Sequence, residues 1–192
     1  MTKNLFMLCD EESINYKGFN LGSLVSESVE KSGYRATQIN IADNELKPCM
    51  GCFNCWIKTP GLCVNTHDRA NDISRHMVNS DIMILITHSV YGGYSYGIKS
   101  FLDRFIPSIS PFFEMINGEM HHQKRYTDFP DFIAFGFGEM SLLERNTFEQ
   151  LIRRNAINFH AKRNLALTAE SDTEITWAIS KLSSFISGTN HA

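Results

Sequence analysis

Residues 81–95 read Asp81-Ile82-Met83-Ile84-Leu85-Ile86-Thr87-His88-Ser89-Val90-Tyr91-Gly92-Gly93-Tyr94-Ser95. From Ile82 to Ile86 the run is continuously apolar, as a strand buried on both faces of a parallel sheet must be. Beyond Thr87 it changes at once to hydroxyls, aromatics and a glycine pair, and then enters an amphipathic stretch. A buried strand that delivers a loop into a helix is one half of a βαβ unit, and this decides for an α/β fold.

Four further apolar runs alternate with amphipathic segments around it. Leu5 to Cys9, Arg35 to Ile41, Phe132 to Gly136 and Leu165 to Ala169 complete a set of five strands. Leu21, Leu24, Val25 and Val29 recur at helical spacing and stop at Gly33, a C′ residue. Ile73 and Met77 mark a short helix. Ile98, Phe101, Leu102, Phe105 and Ile106 mark another, ended by Pro107, and Phe148, Leu151, Ile152, Ala156 and Phe159 a long one. Ser171-Asp172-Thr173-Glu174 reads as a capping box opening the last helix, which presents Ile175, Ile179, Leu182 and Ile186 to the sheet. Residues 44–68 and 108–131 fit no regular element, and long connections of this kind are usually functional.

Composition bounds the function. With 192 residues, 43% apolar and 20% charged, the chain is long enough for one domain with a sizeable core, so residues 1–192 are expected to form a single domain. A net charge of −3 without a cluster of Lys and Arg argues against nucleic acid or anionic lipid as a partner. No stretch approaches the ~20 apolar residues of a membrane span. The N-terminal apolar run, Leu5 to Leu8, is too short for a signal-peptide core and is followed by Asp10, Glu11 and Glu12, which predicts a cytoplasmic protein. Five cysteines, an odd number, point to metal or redox chemistry ahead of a disulfide framework.

In an open α/β sheet, ligands bind outside the carboxyl ends of the strands, where the winding reverses. Residues 87–95 occupy such an end. Paired glycines let the backbone approach a flat ring, and flanking aromatics offer it a face; the plainer alternative is that Gly92 and Gly93 only make a turn. The segment Ser89-Val90-Tyr91-Gly92-Gly93-Tyr94-Ser95, with Lys99-Ser100-Phe101-Leu102-Asp103-Arg104 after it, resembles the flavin-ring loop and following helix of the NADPH-dependent FMN reductase family. Gly136-Phe137-Gly138-Glu139 and the helix from Phe148 to Asn158 are similar to that family as well, so the resemblance covers nearly the whole chain.

The resemblance implies a flavodoxin-like three-layer sandwich with a five-stranded parallel sheet in the order 2-1-3-4-5. It also implies FMN held by three loops, a homodimer or higher homo-oligomer, and reduction by NADPH or NADH. Carried over by position, Ser89, Val90, Tyr91, Gly92, Gly93 and Tyr94 contact the isoalloxazine, and Gly136 with Phe137 line its other side. Ser89 departs from the proline usual there. The phosphate loop matches less closely: Ser13, Gly18, Asn20 and Leu21, with Lys17 assisting, supply donors at a helix N-terminus. The carboxylates at positions 10–12 have to point outward if a phosphate is to sit there.

Cys49-Met50-Gly51-Cys52-Phe53-Asn54-Cys55, with Cys63 after seven intervening residues, is the third feature. Three cysteines at consecutive two-residue gaps can wrap one compact cluster, whereas structural zinc sites usually split theirs into separated pairs. The motif is similar to that of iron-sulfur flavoproteins, which pass electrons between a [4Fe-4S] cluster and FMN. A cluster on Cys49, Cys52, Cys55 and Cys63, a cluster-free thiol loop beside the substrate, and zinc stand as the alternatives. Cys9, ending a strand, reads as an inert packed thiol. His121-His122 with Glu119 reads as a solvated pair, and His88 as a neighbour of the flavin loop. Phe112, Phe113 and Met115 suit a ligand cover, a subunit contact or core packing equally.

Three functions follow as expectations. The first is an FMN-dependent NAD(P)H oxidoreductase reducing a small acceptor such as a quinone, a nitro or azo compound, or a flavin. The second is an iron-sulfur flavoprotein carrying electrons to a protein or small-molecule acceptor, and the third is a binding or regulatory protein of the same fold that has lost FMN. Flavin supplies the chemistry in the first two, so no catalytic acid, base or nucleophile is assigned.

Overall fold

In the computed structural model, which describes residues 3–188, the decisive run is a strand whose residues Ile82 to Thr87 are all buried. In chain order the elements are β1 (Lys3–Asp10), α1 (Leu21–Glu30), β2 (Tyr34–Ile41), α2 (Asn54–Ile57), α3 (Ala70–Val78), β3 (Ile82–His88) and α4 (Tyr96–Arg104). There follow β4 (Ile109–Ile116), β5 (Glu119–Lys124), β6 (Asp131–Phe137), α5 (Leu142–Asn158), β7 (Asn164–Ala169) and α6 (Asp172–Ile186). Residues 1 and 2 of the N-terminal stretch and residues 189–192 lie outside the described range.

β2, β1, β3, β6 and β7 are neighbours in that order and all pair in parallel. Since β6 and β7 are the fourth and fifth strands of this sheet, the expected order 2-1-3-4-5 is the one observed. Alternation along β1 divides the core between the two sides of the sheet. Leu5, Met7 and Cys9 pack with Leu21, Val25 and Val29 of α1 and with Ile175, Ala178 and Leu182 of α6. Phe6 and Leu8 lie in a second cluster with Ile73 and Met77 of α3, Ile98 and Phe101 of α4, and Phe148 and Ile152 of α5. Helices on both faces of a parallel sheet make the three layers.

Two local expectations change. Residues 108–131 are not irregular: β4 and β5 form an antiparallel hairpin turned at Asn117-Gly118, both with positive φ, 53° and 83°. That dipeptide suits a type I′ turn, whose twist matches the strands it joins. The hairpin's Phe112, Phe113, Met115 and Met120 are exposed, so core packing is not their role. At Ser171, the side chain accepts from the Glu174 N–H as expected, but the Glu174 carboxylate accepts from the Glu170 N–H at 2.7 Å. The reciprocal box forms instead at Ser141 and Glu144, where α5 begins six residues before its expected periodic run.

Candidate functional site at the carboxyl edge

The loop after β3 closes on itself. Val90 and Gly93 exchange both backbone hydrogen bonds, at 3.2 and 2.8 Å, around Tyr91 and Gly92 with φ of 51° and 74°. A Cβ on Gly92 would meet the Glu144 carbonyl oxygen of α5 at 2.6 Å, so the glycine allows both the turn and its seat against α5. The closed turn lifts Tyr91, 88% exposed, and Val90, 44% exposed, out of the surface. On either side of the turn in sequence, the hydroxyls of Ser89 and Ser95 are buried without a hydrogen-bond partner. Tyr94 goes the other way: it is buried beside Phe148, and its phenol oxygen accepts from Asn155 Nδ2 at 2.9 Å. Burial pushes that phenol well above its ordinary pKa, with the Asn155 bond a smaller opposing effect.

β6 brings its end alongside, with Ser89 N–H donating to the Phe137 carbonyl at 2.8 Å. The α-carbon of Gly136 faces α5, where a Cβ would come within 2.9 Å of the Phe148 ring. Phe137 is fully buried, its ring 4.9 Å from that of Tyr16 and 5.6 Å from that of His88. The chain bends at the next residue, Gly138, with φ of 113°, and the His88 ring fills the place a Cβ would take.

Between β1 and α1 the chain makes a 3-10 turn over Glu11–Asn15 and then a tight turn in which Tyr16 and Phe19 exchange backbone bonds around Lys17 and Gly18. Glu11 and Glu12 are exposed, but Asp10 is not: its carboxylate is buried, accepting from the Glu12 N–H at 3.0 Å and the His88 N–H at 3.4 Å. Three outward carboxylates were the expectation; one turns inward because it caps the 3-10 turn. Ser13 is buried and donates to the Asp10 carbonyl, and Asn20 caps α1 by accepting from the Ser23 N–H. The Ser13 hydroxyl is therefore engaged internally, whereas Asn20 commits only its side-chain oxygen. Donors that remain in this loop include the exposed Lys17 and the side-chain amide nitrogen of Asn20, and Gly18, with φ of 82° and nothing within 4 Å of its Cβ position, leaves the backbone uncovered ahead of Leu21 at the start of α1.

The cysteine segment folds beside α4. Cys49, Cys52, Cys55 and Cys63 together line one chamber, closed by Pro48, Val64, Arg104 and Pro107. The chain turns around it through left-handed Gly51 and Phe53, and the Gly51 N–H donates to Cys49 Sγ at 3.5 Å. Burial first, and then the thiols of Cys63, Cys49 and Cys52, push the Cys55 thiol above its ordinary value, so Cys55 lies within electrostatic reach of the other three. Asn71 of α3 grips Cys63 through both its N–H and its carbonyl, each at 2.9 Å. Among the described residues no three His, Cys, Asp or Glu side chains close around a point as a single metal ion would require.

Cys9 is fully buried, and burial, then Asp10, pushes its thiol to about 12. The His121-His122 pair is not solvated as expected. His121 is buried, bonded to Asn158 and Glu119, while His122 lies between Phe113 and Trp56. Arg104, read from sequence only as part of a helix match, is 2% exposed and reaches into the cysteine segment. No local signal marks it, since its partners lie 36 to 57 residues away.

The architecture is that of a flavodoxin-like protein. A flavodoxin from Streptococcus pneumonia superposes with a TM-score of 0.55 at 10% identity, over 97% of this chain and 99% of its own. An FMN-dependent NADH-azoreductase from Bacillus anthracis, solved in complex with FMN, superposes with a TM-score of 0.66 at 12% identity, over 98% of this chain and all of its own. By sequence, an iron-sulfur flavoprotein from Archaeoglobus fulgidus is 30% identical over 81 residues, and one from Methanocaldococcus jannaschii 34% identical over 80. Each match takes in 42% of this chain and spans only 36% and 40% of the relatives' lengths. No protein-family model matches the chain.

Proposed function

We propose that the chain is a single-domain FMN-dependent NAD(P)H oxidoreductase that reduces a small acceptor, in the range of quinones, azo and nitro compounds or free flavin. The observation that carries this reading is the closed Val90–Gly93 turn at the carboxyl end of β3, which exposes Tyr91 and is flanked in sequence by Ser89 and Ser95, whose hydroxyls are buried and unpartnered. Buried hydroxyls without partners are costly unless a ligand completes them. Bound there, FMN supplies hydride and one-electron chemistry. Tyr91 and Val90, both exposed, would pack against the ring, and the hydroxyls of Ser89 and Ser95 would be the nearby groups left to hydrogen-bond it. At the phosphate end the work falls to Lys17, Gly18, the side-chain amide group of Asn20 and the first turn of α1, since the Ser13 hydroxyl is engaged. The reading includes a homodimer or higher homo-oligomer in the cytoplasm.

Titration of cofactor-free protein with FMN tests this, followed by NADPH and NADH in separate anaerobic cuvettes. Stoichiometric uptake and bleaching of the flavin band by one nucleotide, with reoxidation by a quinone, support the reading. Failure to take up FMN favours a binding or regulatory protein of this fold.

A second reading, an iron-sulfur flavoprotein, is favoured by the chamber itself. Four thiols lining one void, with a backbone N–H donating to a cysteine sulfur, match what holds an iron-sulfur cluster, which needs more room between its ligands than zinc. In this reading Cys49, Cys52, Cys55 and Cys63 are the ligands of a [4Fe-4S] cluster that supplies one-electron chemistry, and the acceptor extends to a protein.

A further inference from the structure

Arg104, at the last residue of α4, carries a guanidinium whose side chain is 1% exposed. Nη1 donates to the Lys47 carbonyl at 3.3 Å and forms an ion pair with Asp68, and Nη2 donates to the Asn65 carbonyl at 2.8 Å. Residues 47 and 65 flank the cysteines, so one side chain fixes both ends of the segment that carries Cys49 to Cys63. Asp68 is equally committed, accepting also from the Lys47 N–H at 2.9 Å and the Ala70 N–H at 3.1 Å. Arg104 Nε is buried without a partner, and the side chain lines the same chamber as the four thiols.

Asp68 and two carbonyls compensate the buried charge on one side of the guanidinium, while Nε, without a partner, belongs to the side chain that lines the chamber. Four thiolates around an iron-sulfur core leave net negative charge in the chamber, and reduction adds one electron to it. A fixed cation in the chamber wall favours the reduced state.

We propose that Arg104 is the positioning residue of the cysteine chamber, holding the ligand loop in place and raising the reduction potential of the cluster that Cys49, Cys52, Cys55 and Cys63 hold. This rests on the iron-sulfur reading above. Asp68 opposes the arginine's charge, so the two side chains act on the potential with opposite sign.

The test uses the full chain, reconstituted anaerobically with iron and sulfide, and assays iron content. Dithionite then supplies one electron per cluster while electron paramagnetic resonance reads the midpoint potential. Asp68→Asn is expected to shift it upward and Arg104→Gln downward, with Arg104→Lys lying between Arg104→Gln and the wild type. A role limited to holding the loop would move Asp68→Asn and Arg104→Gln in the same direction or not at all, and either result overturns the proposal. If Arg104→Gln does not fold, the Asp68→Asn shift decides alone. Wild-type protein that takes up no iron overturns the iron-sulfur reading and this role together; iron-loaded variants with unmoved potentials overturn only the role.

Discussion

At the residue scale the site depends on which side chains are free to meet a ligand. Tyr91 stands in solvent, so Tyr91→Ala should leave stability within about 0.5 kcal/mol of the wild type. Its loss should weaken FMN about three- to tenfold, the range of about 0.5–1.5 kcal/mol that an aromatic contact adds. Urea unfolding and FMN titration check the two halves separately, and a stability loss with unchanged FMN affinity would contradict the assignment. Gly92→Ala should behave in the opposite sense. A left-handed φ and a Cβ 2.6 Å from a backbone oxygen should cost about 2–4 kcal/mol in the same urea assay. The cysteines separate by burial: in cluster-free folded protein at mildly alkaline pH, Cys49 and Cys52 should alkylate readily while Cys9 stays intact. Peptide mapping by mass spectrometry reads this directly, and modification of Cys9 at the rate of the exposed thiols would contradict it. The turn was legible in the sequence, because Gly92-Gly93 after a buried strand calls for a tight bend, and Tyr91 and Gly92 take positive φ there. What was not legible is direction: nothing local says that Tyr94 turns into the core while Tyr91 turns out, since Asn155 and Phe148, which hold Tyr94, come from α5.

At the element scale the five strands followed from uninterrupted apolar runs and the helices from their periodicity, because burial on both faces of the sheet leaves little choice of residue. The β4–β5 hairpin was missed although Asn117-Gly118 is a strong local turn signal; its strands expose Phe112, Phe113 and Met115 and so lack the alternation that marks a half-buried strand. The cysteine segment has no regular structure long enough to hold it, and the Arg104–Asp68 pair takes that part. Asp68 illustrates the balance. Burial raises its carboxyl pKa, but the N–H groups of Lys47 and Ala70 and the Arg104 guanidinium outweigh burial and leave it below its ordinary value of 3.8. A carboxylate depressed on folding contributes stability that is fully present above its unfolded pKa and is lost as pH falls through the folded one. The cysteine segment should therefore loosen first on acidification below about pH 4. Hydrogen exchange at residues 47–68 measures this; uniform protection across that range down to the global acid transition would contradict it.

At the scale of the whole molecule, strand order, the reversal of winding between β1 and β3, and three loops at one sheet edge define where a ligand belongs. The loop that resembles the ring loop of flavin reductases, residues 89–95, lies at that edge after β3. Less legible was the phosphate end, where Asp10 and Ser13 form a 3-10 turn instead of an anion nest, because capping chemistry and phosphate binding draw on the same residue types. Lys17→Ala should therefore weaken FMN without altering the fold, whereas Ser13→Ala should lower stability and leave FMN affinity nearly unchanged; isothermal titration and thermal unfolding distinguish the two. The central claim, a flavin at the carboxyl edge, is tested most directly by anaerobic purification of the full chain, a visible spectrum, and iron and sulfide analysis of the same sample. The account predicts flavin bands with about one FMN per chain, and about four iron with a broad shoulder where the chamber is filled. A colourless protein that stays colourless after FMN is added would contradict it.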